Sequence, residues 1–161
     1  MAFERHPSAE ERRRSALVLI RTLLQEIPGL LSEHRQECLG IALWKITEAE
    51  GLHKHKTRFR SEASLAVRND LRHDHVFQRA NMVQALMQAN PDAVEGILAD
   101  AVGCTITKAE HASLGQFKHL DGWERYRQAG IVVIDMETGK PFEFPPPHQA
   151  VLRISPRHPR N

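Results

Sequence analysis

The sequence predicts a single α+β domain that is mainly helical and carries a short C-terminal β-hairpin. Apolar residues recur with a helical period through most of the N-terminal part, which predicts several amphipathic helices. A continuous apolar run at 131–135 comes directly before a turn at 137–140, which predicts a strand and a hairpin. The 161 residues and a hydrophobic fraction of 41% suit one compact domain. We assign this domain to residues 1–144 and a proline-rich basic tail to residues 145–161.

The two N-terminal helices have recognisable ends. Ser8 and Glu11 have the spacing of a capping box, so the first helix is predicted to begin at Ser8, and Pro28 ends it. The second helix is predicted over residues 32–50, with Gly51 as its left-handed C-terminal residue. Both segments place apolar residues at helical spacing, so each is expected to bury one face.

The middle of the chain predicts shorter helices separated by polar turns. They cover residues 61–67, 76–89, 92–102, 108–114 and 121–130. Thr107 and Glu110 form a second capping box ahead of the helix that ends at Leu114. Residues 69–75 are polar and turn-prone, so we predict a connection there.

The C-terminal segment has a different character. The strand at 131–135 is predicted to pair with a return strand at 142–144. Three consecutive prolines at 145–147 then form a stiff, extended spacer. Residues 151–154 are predicted either to add an edge strand or to lie against a protein partner.

Composition excludes several classes of protein. Lys and Arg total 22 against 20 Asp and Glu, and a formal charge of +2 excludes a strongly basic coat of the histone or ribosomal kind. No apolar stretch approaches the roughly 18 residues that a transmembrane helix needs, and the first residues lack the apolar segment of a signal peptide. Cys38 and Cys104 are too few for a disulfide framework. We therefore expect a cytoplasmic protein that does not contact a membrane.

Residues 52–60 form the most biased segment of the chain, with two histidines and no acid. Its basic side chains alternate along the chain at Lys54, Lys56, Arg58 and Arg60. Phe59 lies between two arginines, an arrangement that suits stacking on a nucleobase. The segment therefore predicts a contact with nucleic acid, and a solvated loop is the alternative.

Two H-x-H pairs indicate a possible metal site. His53 pairs with His55, and His73 pairs with His75; in an extended segment, residues i and i+2 point to the same side. Two imidazoles on one side can bind one metal ion. A third ligand is available from His111, Glu48 or Glu110. A divalent metal is therefore one candidate cofactor, and histidines at the edge of the core are the alternative.

The same histidines, with nearby carboxylates and arginines, supply the parts of a small nuclease. Phosphodiester cleavage needs a proton acceptor, a proton donor and positive charge near the developing negative phosphate. We assign proton transfer to His73, His75 and His111, because the unperturbed pKa of histidine lies near neutral pH. Glu48 or Glu110 would orient a histidine or coordinate a metal. Phosphate contacts are assigned to Lys54, Lys56, Arg58, Arg60, Arg79 and Lys108. The sequence thus favours a small protein that acts on nucleic acid, with a nuclease, a hydrolase, as the candidate enzyme.

Residues 74–81 resemble the first histidine segment of an HNH (His-Me finger) nuclease. In that family a histidine after a strand activates water, and the following helix supplies metal ligands. The resemblance implies His75 as the general base. The chain lacks a recognisable cysteine pair and the closing Asn…His-x-x-x-His half, and Asn81 follows His75 after only six residues. We therefore do not assign the chain to that family.

The alternative is a protein that binds without catalysis. Residues 98–112 have the spacing of a helix-turn-helix, with Ala99 four residues before Gly103 in the turn. The residues that would face the DNA groove are Thr105, Thr107, Lys108 and His111. Residues 105–107 suit a strand equally well. A helical adaptor whose tail docks on another protein is the other non-enzymatic interpretation.

Overall fold

The computed structural model describes residues 3–146 and confirms the α+β class. Its α-helices are α1 (Ala9–Leu24), α2 (Ser32–Thr47), α3 (Glu62–Leu65), α4 (Arg79–Gln88), α5 (Val94–Ala99), α6 (Lys108–Leu114) and α7 (Trp123–Gln128). Its strands are β1 (Phe59–Ser61), β2 (Leu71–His75), β3 (Gly103–Thr107), β4 (Val133–Asp135) and β5 (Lys140–Pro141). Residues 147–161, with the predicted edge strand at 151–154, lie outside the described part. None of the helices described is long and apolar enough to cross a membrane.

The strands form one mixed sheet in the order β2-β3-β1-β4-β5, in which β1 and β3 are parallel and the other pairs are antiparallel. One row across the sheet consists of His73, Thr105 and Arg60, and the adjacent row of Asp74, Cys104 and Phe59. Successive residues of a strand point to opposite faces, so the two rows lie on opposite sides of the sheet. We call the first side the His73 face. The second is the Tyr126 face, named for the buried tyrosine that contacts Asp74.

Two apolar cores stabilise the fold. The first lies among α1, α2, α4 and α5 and includes Ile20, Leu39, Leu43, Leu86 and Leu98. The second joins the Tyr126 face to α6 and α7 and includes Val76, Ile106, Leu114, Trp123 and Tyr126. Each fully buried leucine, isoleucine or valine contributes about 1.5–3 kcal/mol. Phe77 packs against both cores and so connects the helical layer to the sheet.

The two predicted helix starts have different outcomes. The Ser8 side chain makes no capping bond to α1; instead the Ser8 N–H donates to Nδ1 of His6 at 3.0 Å. The capping box predicted at the start of α1 is therefore wrong. At the start of α6, both reciprocal bonds between Thr107 and Glu110 are present, so the second capping box is confirmed.

The segment 69–75, predicted as a connection, contains strand β2. Its backbone pairs with β3 from Leu71, opposite Thr107, to His75, opposite Gly103. The central residues are polar, so the segment lacks the alternation of apolar and polar residues by which a half-buried strand is recognised. Long-range pairing with β3, rather than local pattern, makes this segment a strand.

The helix predicted over 76–89 is observed as α4 and begins later, at Arg79. The Gln78 N–H just before it donates to Oδ1 of Asp121 at 2.6 Å, so it has a partner outside the helix. The start of α4 is thereby tied to the segment that precedes α7.

The helix-turn-helix predicted over residues 98–112 is wrong. Gly103–Thr107 form β3, an interior strand of the sheet, so a strand rather than a turn separates α5 from α6. Thr105 is fully buried, and its hydroxyl lies 2.8 Å from the hydroxyl of Thr57. It therefore has no access to a DNA groove.

The return strand of the C-terminal hairpin begins earlier than predicted, at Lys140. β4 pairs with Lys140–Pro141, and the Phe142 N–H also donates to the main-chain oxygen of Val133 at 2.7 Å. The rings of Phe142 and Phe144 pack on Trp123, with centroids 4.9 and 5.5 Å from the indole. Their aromatic rings therefore extend the second core.

Candidate functional site

His73 and His75 lie next to each other on the His73 face of β2. Their ring centroids are 5.5 Å apart, and the rings are nearly perpendicular. The C-terminal half of α2 places Trp44 against both, with ring centroids 6.4 Å from His73 and 6.3 Å from His75. The Arg79 guanidinium, at the start of α4, lies 5.8 Å from the Trp44 ring centroid. We call these four residues the histidine site.

Both ring nitrogens of His73 are bonded to the protein. Nδ1 lies 2.9 Å from the main-chain oxygen of Lys54, and Nε2 lies 2.9 Å from the Thr47 hydroxyl. A carbonyl only accepts hydrogen bonds, so Nδ1 carries the hydrogen of the neutral ring. The Thr47 hydroxyl has one hydrogen, and both Nε2 of His73 and the main-chain oxygen of Trp44, at 3.0 Å, lie within reach of it. Burial lowers the pKa of His73, although the Lys54 carbonyl and Glu48 act in the opposite direction. This geometry suits a positioning role better than the predicted proton transfer.

His75 is held less tightly. Its Nδ1 atom is buried and has no hydrogen-bond partner. Burial, together with the neighbouring charges of His73 and Arg79, lowers the pKa of His75 to about 3. The imidazole is therefore neutral at physiological pH, with one nitrogen that the protein leaves unsatisfied.

Trp44 gives the histidine site an exposed aromatic surface. The residue is 39% exposed, which is unusual for a tryptophan next to a core. Arg79 is also exposed, and its aliphatic stem passes over Gly40 of α2. The guanidinium lies over the indole, so the pair presents a cation on an aromatic ring to solvent.

Residues 52–58, which we call the basic loop, run over the His73 face. At the start of the loop Gly51 has no room for a side chain, since a Cβ atom there would lie 2.3 Å from the main-chain oxygen of Lys56. The Lys54 carbonyl bonds to His73, and the Thr57 hydroxyl bonds to Thr105. The loop is thus attached to β2 and to β3, and the exposed Lys54 lies beside the histidine site.

Arg58 is neutralised by carboxylates. Its Nε and Nη2 atoms donate to the two carboxylate oxygens of Asp135 at 3.0 and 2.7 Å, and Nη1 lies 3.0 Å from Glu137. The bond to Asp135 raises the pKa of Arg58, and the same bond lowers the pKa of Asp135. The predicted phosphate contact of Arg58 would have to compete with both carboxylates.

Two other residues singled out in the sequence lie away from the histidine site. Phe59 packs on Trp123 and Phe142, at 5.3 and 4.8 Å between ring centroids, so its ring belongs to the second core and is not free to stack on a base. Lys108 begins α6, where its N–H donates to the main-chain oxygen of Asp70 at 2.6 Å. It lies at the end of β2 that is farther from His75.

Glu110 and His111 lie on the opposite side of the sheet from His75. The Glu110 carboxylate accepts hydrogen bonds from the Thr107 N–H and hydroxyl and from the Ser61 hydroxyl, at 2.6–2.9 Å. Through these bonds the carboxylate holds α6 against β1 and β3. His111 lies 3.7 Å from Asp74, on the Tyr126 face. The structure therefore does not bring the three predicted histidines into one site.

Asp74, between the two histidines of β2, forms a separate buried cluster. Its carboxylate accepts a hydrogen bond from the Tyr126 hydroxyl at 2.7 Å and lies 3.8 Å from Arg125. Burial raises the pKa of Asp74, although Tyr126, Arg125 and His111 act in the opposite direction. This cluster was not predicted from the sequence, although the H-x-H spacing carried a signal for it: if His73 and His75 share a face of the strand, Asp74 points to the opposite face.

Glu48 lies at the edge of the histidine site, close enough to raise the pKa of His73. Its side chain is 14% exposed and lies 3.7 Å from the Lys45 ammonium group. Among residues 3–146, no three His, Cys, Asp or Glu side chains come together as a group that could hold a metal ion. The predicted metal set of His73, His75 and Glu48 is therefore not assembled.

The HNH resemblance is matched only in part. His75 ends a strand and α4 follows it, as the resemblance implies. Asn81, in the first turn of α4, donates instead to Oδ2 of Asp121 at 2.8 Å. Its amide therefore connects α4 to the segment before α7 and is not directed at a metal beside His75.

The histidine site combines groups that suit an aromatic, anionic ligand. Trp44 offers a ring for stacking, Arg79 offers a cation, and His75 is a neutral imidazole whose buried Nδ1 has no hydrogen-bond partner. Comparisons with protein-family models, curated proteins and solved structures gave no significant match.

Proposed function

We propose that the protein acts on nucleic acid through the histidine site and the adjoining basic loop. The observation that carries this proposal is the exposed Trp44 ring with the Arg79 guanidinium over it, 5.8 Å from the ring centroid. A tryptophan that only filled the core would be covered, and an arginine that only balanced charge would lie against a carboxylate. In residues 3–146 no salt bridge pairs Arg79 with an acid.

A single strand of nucleic acid matches these groups. Its bases stack on aromatic rings without regard to sequence, and its phosphates follow a positive surface. Arg79 lies close enough to Trp44 to contact the phosphate of a stacked nucleotide. Lys54 extends the positive surface along the basic loop, so the backbone of the strand would run from Arg79 towards Lys54.

Replacing Trp44 tests the binding proposal. Because base stacking on an aromatic side chain contributes roughly 1–3 kcal/mol, Trp44→Ala should weaken binding of a single strand about tenfold or more. Trp44→Phe keeps a stacking ring and should retain most of the affinity. The measurement is fluorescence anisotropy of labelled single-stranded DNA and RNA. Val18→Ala is the matched control, since Val18 is an exposed apolar residue on α1.

Phosphodiester cleavage at the same site is the second candidate function. It is favoured by the neutral imidazole of His75, whose buried Nδ1 has no hydrogen-bond partner, near the Arg79 cation. In this reaction a water oxygen bonds to phosphorus, its proton passes to His75, and the bond from phosphorus to the leaving oxygen breaks. The leaving oxygen takes a proton from solvent, while Arg79 stabilises the negative charge of the transition state. A bound phosphate raises the pKa of His75 and so makes it a better base.

A pair of histidine variants tests cleavage. His75→Gln should abolish cleavage of a labelled strand, whereas His111→Gln should retain it, because His111 lies across the sheet. Full activity in His75→Gln would exclude the assignment. Binding without cleavage in the wild type would leave a binding protein. If the wild type neither binds nor cleaves the strand, a protein-interaction module that uses the Trp44 surface is favoured.

A further inference from the structure

Arg60 is a half-buried arginine that no carboxylate neutralises within residues 3–146. One of its terminal nitrogens, Nη2, donates to the main-chain oxygen of Ser64 at 2.9 Å. Its Nε atom is buried and has no hydrogen-bond partner. Burial lowers the pKa of Arg60; Cys104 acts in the opposite direction, and no carboxylate does. Buried arginines are normally paired, so this guanidinium has spare hydrogen-bonding capacity.

The basic loop holds His55 between its attachments to β2 and β3, and β3 pairs with β1, the strand that holds Arg60. Lys54, before His55, is attached to β2 through His73, and Thr57, after it, is attached to β3 through Thr105. The register of the sheet places Arg60 of β1 in the same row, and on the same face, as His73 and Thr105. The side chain of His55 is half-buried in this arrangement.

The titratable groups that shift the pKa of His55 are all basic. Burial is the largest cause that lowers the pKa of His55, and the nearby charges that lower it further are Lys54, His73, Arg72 and Arg60. No carboxylate in the described part raises it. The contrast with Arg58 is direct, because that side chain, two residues before Arg60, has two carboxylate partners. Uncompensated positive charge of this kind is stabilised when an anion binds.

We propose that Arg60 and His55, with Lys54 at the rim, form a subsite for a phosphate group. A phosphate oxygen would accept hydrogen bonds from the guanidinium and from the protonated imidazole, and charge-assisted bonds of this kind are among the strongest in proteins. The subsite rests on the proposed function only for the source of its phosphate, which would be the backbone of the bound strand. Together with Arg79 it would hold two phosphates of one strand.

The experiment uses inorganic phosphate as the probe. The pKa of His55 is followed by NMR in the full chain, with and without phosphate, at constant ionic strength set with chloride. Phosphate should raise the pKa of His55, because an anion favours the charged imidazole. Arg60→Gln should weaken phosphate binding about tenfold or more and remove most of this rise.

Arg21→Gln is the matched control, because it removes the same charge from α1, where Arg21 is already paired with Glu95 at 2.6 Å. It should leave phosphate affinity nearly unchanged, and thermal unfolding of both variants confirms that they fold. If Arg60→Gln does not fold, His55→Gln provides the second measurement. This variant should bind phosphate more weakly, and its phosphate affinity should rise less than that of the wild type as the pH falls. The subsite is overturned if Arg60→Gln and the wild type bind phosphate with equal affinity, or if phosphate does not raise the pKa of His55.

A labelled single strand separates this inference from the proposed function. Phosphate binding that depends on Arg60, without strand binding, would keep the subsite and overturn the proposed function. Strand binding that is unaffected by Arg60→Gln, together with equal phosphate affinity in Arg60→Gln and wild type, would keep the function and overturn the subsite.

Discussion

Gly103→Ala should destabilise the protein by about 3 kcal/mol, because the first residue of β3 has no room for a methyl group. A Cβ atom there would lie 2.5 Å from Cε1 of His73 and 3.0 Å from the main-chain oxygen of Thr47. The imidazole would have to move, and it would then lose the bonds to Thr47 and Lys54 that hold it. For a protein of this length the midpoint of thermal unfolding should fall by roughly 10 °C.

Gly96→Ala is the matched control for this prediction. Gly96 lies in α5, and a Cβ atom there meets nothing within 4 Å. Alanine favours a helix over glycine by roughly 1 kcal/mol, so this variant should be as stable as the wild type or more stable. An unchanged unfolding midpoint in Gly103→Ala would contradict the close packing of β3 against His73 and α2.

The second large effect is a loss of stability in acid that depends on His75. In the folded protein the pKa of His75 is lowered to about 3, whereas an unfolded histidine has a pKa near 6.5. Between these values the unfolded chain binds the proton and the folded chain does not, so the free energy of unfolding rises with pH. The contribution of His75 is fully present above about pH 6.5 and is lost as the pH falls towards 3. Between about pH 6.5 and 4.5 the loss should be about 2 kcal/mol.

Urea unfolding of wild type and His75→Gln at several pH values measures this contribution. The variant should lose less stability across the same window, since glutamine does not titrate. Asp74 acts in the opposite sense, because its raised pKa makes the folded state bind a proton more readily as the pH falls. Asp74 is present in both proteins, so the difference between their free energies of unfolding at each pH gives the contribution of His75. Identical pH profiles would contradict the burial of a neutral imidazole at this position.

The helices could be predicted from local pattern, but most of the sheet could not. α1 and α2 have apolar residues at a helical period, and this pattern depends only on neighbouring positions. β2 has a polar sequence, and β1 spans only Phe59–Ser61, so neither carries a recognisable alternation. Both become strands through pairing with β3, a contact distant in sequence that local periodicity does not encode.

The histidine site was predictable only along one strand. The H-x-H spacing predicts that His73 and His75 share a side, and the structure places both rings there. The relation of His111 to this pair depends on which face of the sheet α6 covers, which no local pattern specifies. Trp44 was visible in the sequence as a residue at the edge of the apolar stripe of α2. Its contact with both histidines follows from the packing of α2 against β2.

The most direct test of the proposed function is the salt dependence of binding to a labelled single strand. The wild type should bind at low salt, and the logarithm of its affinity should fall linearly with the logarithm of the salt concentration. Arg79→Gln should bind more weakly, with a slope shallower by about 0.7, the value expected for one lost phosphate contact on a single strand. No binding at low salt, or the same slope and affinity in Arg79→Gln, would contradict a nucleic-acid surface at the histidine site.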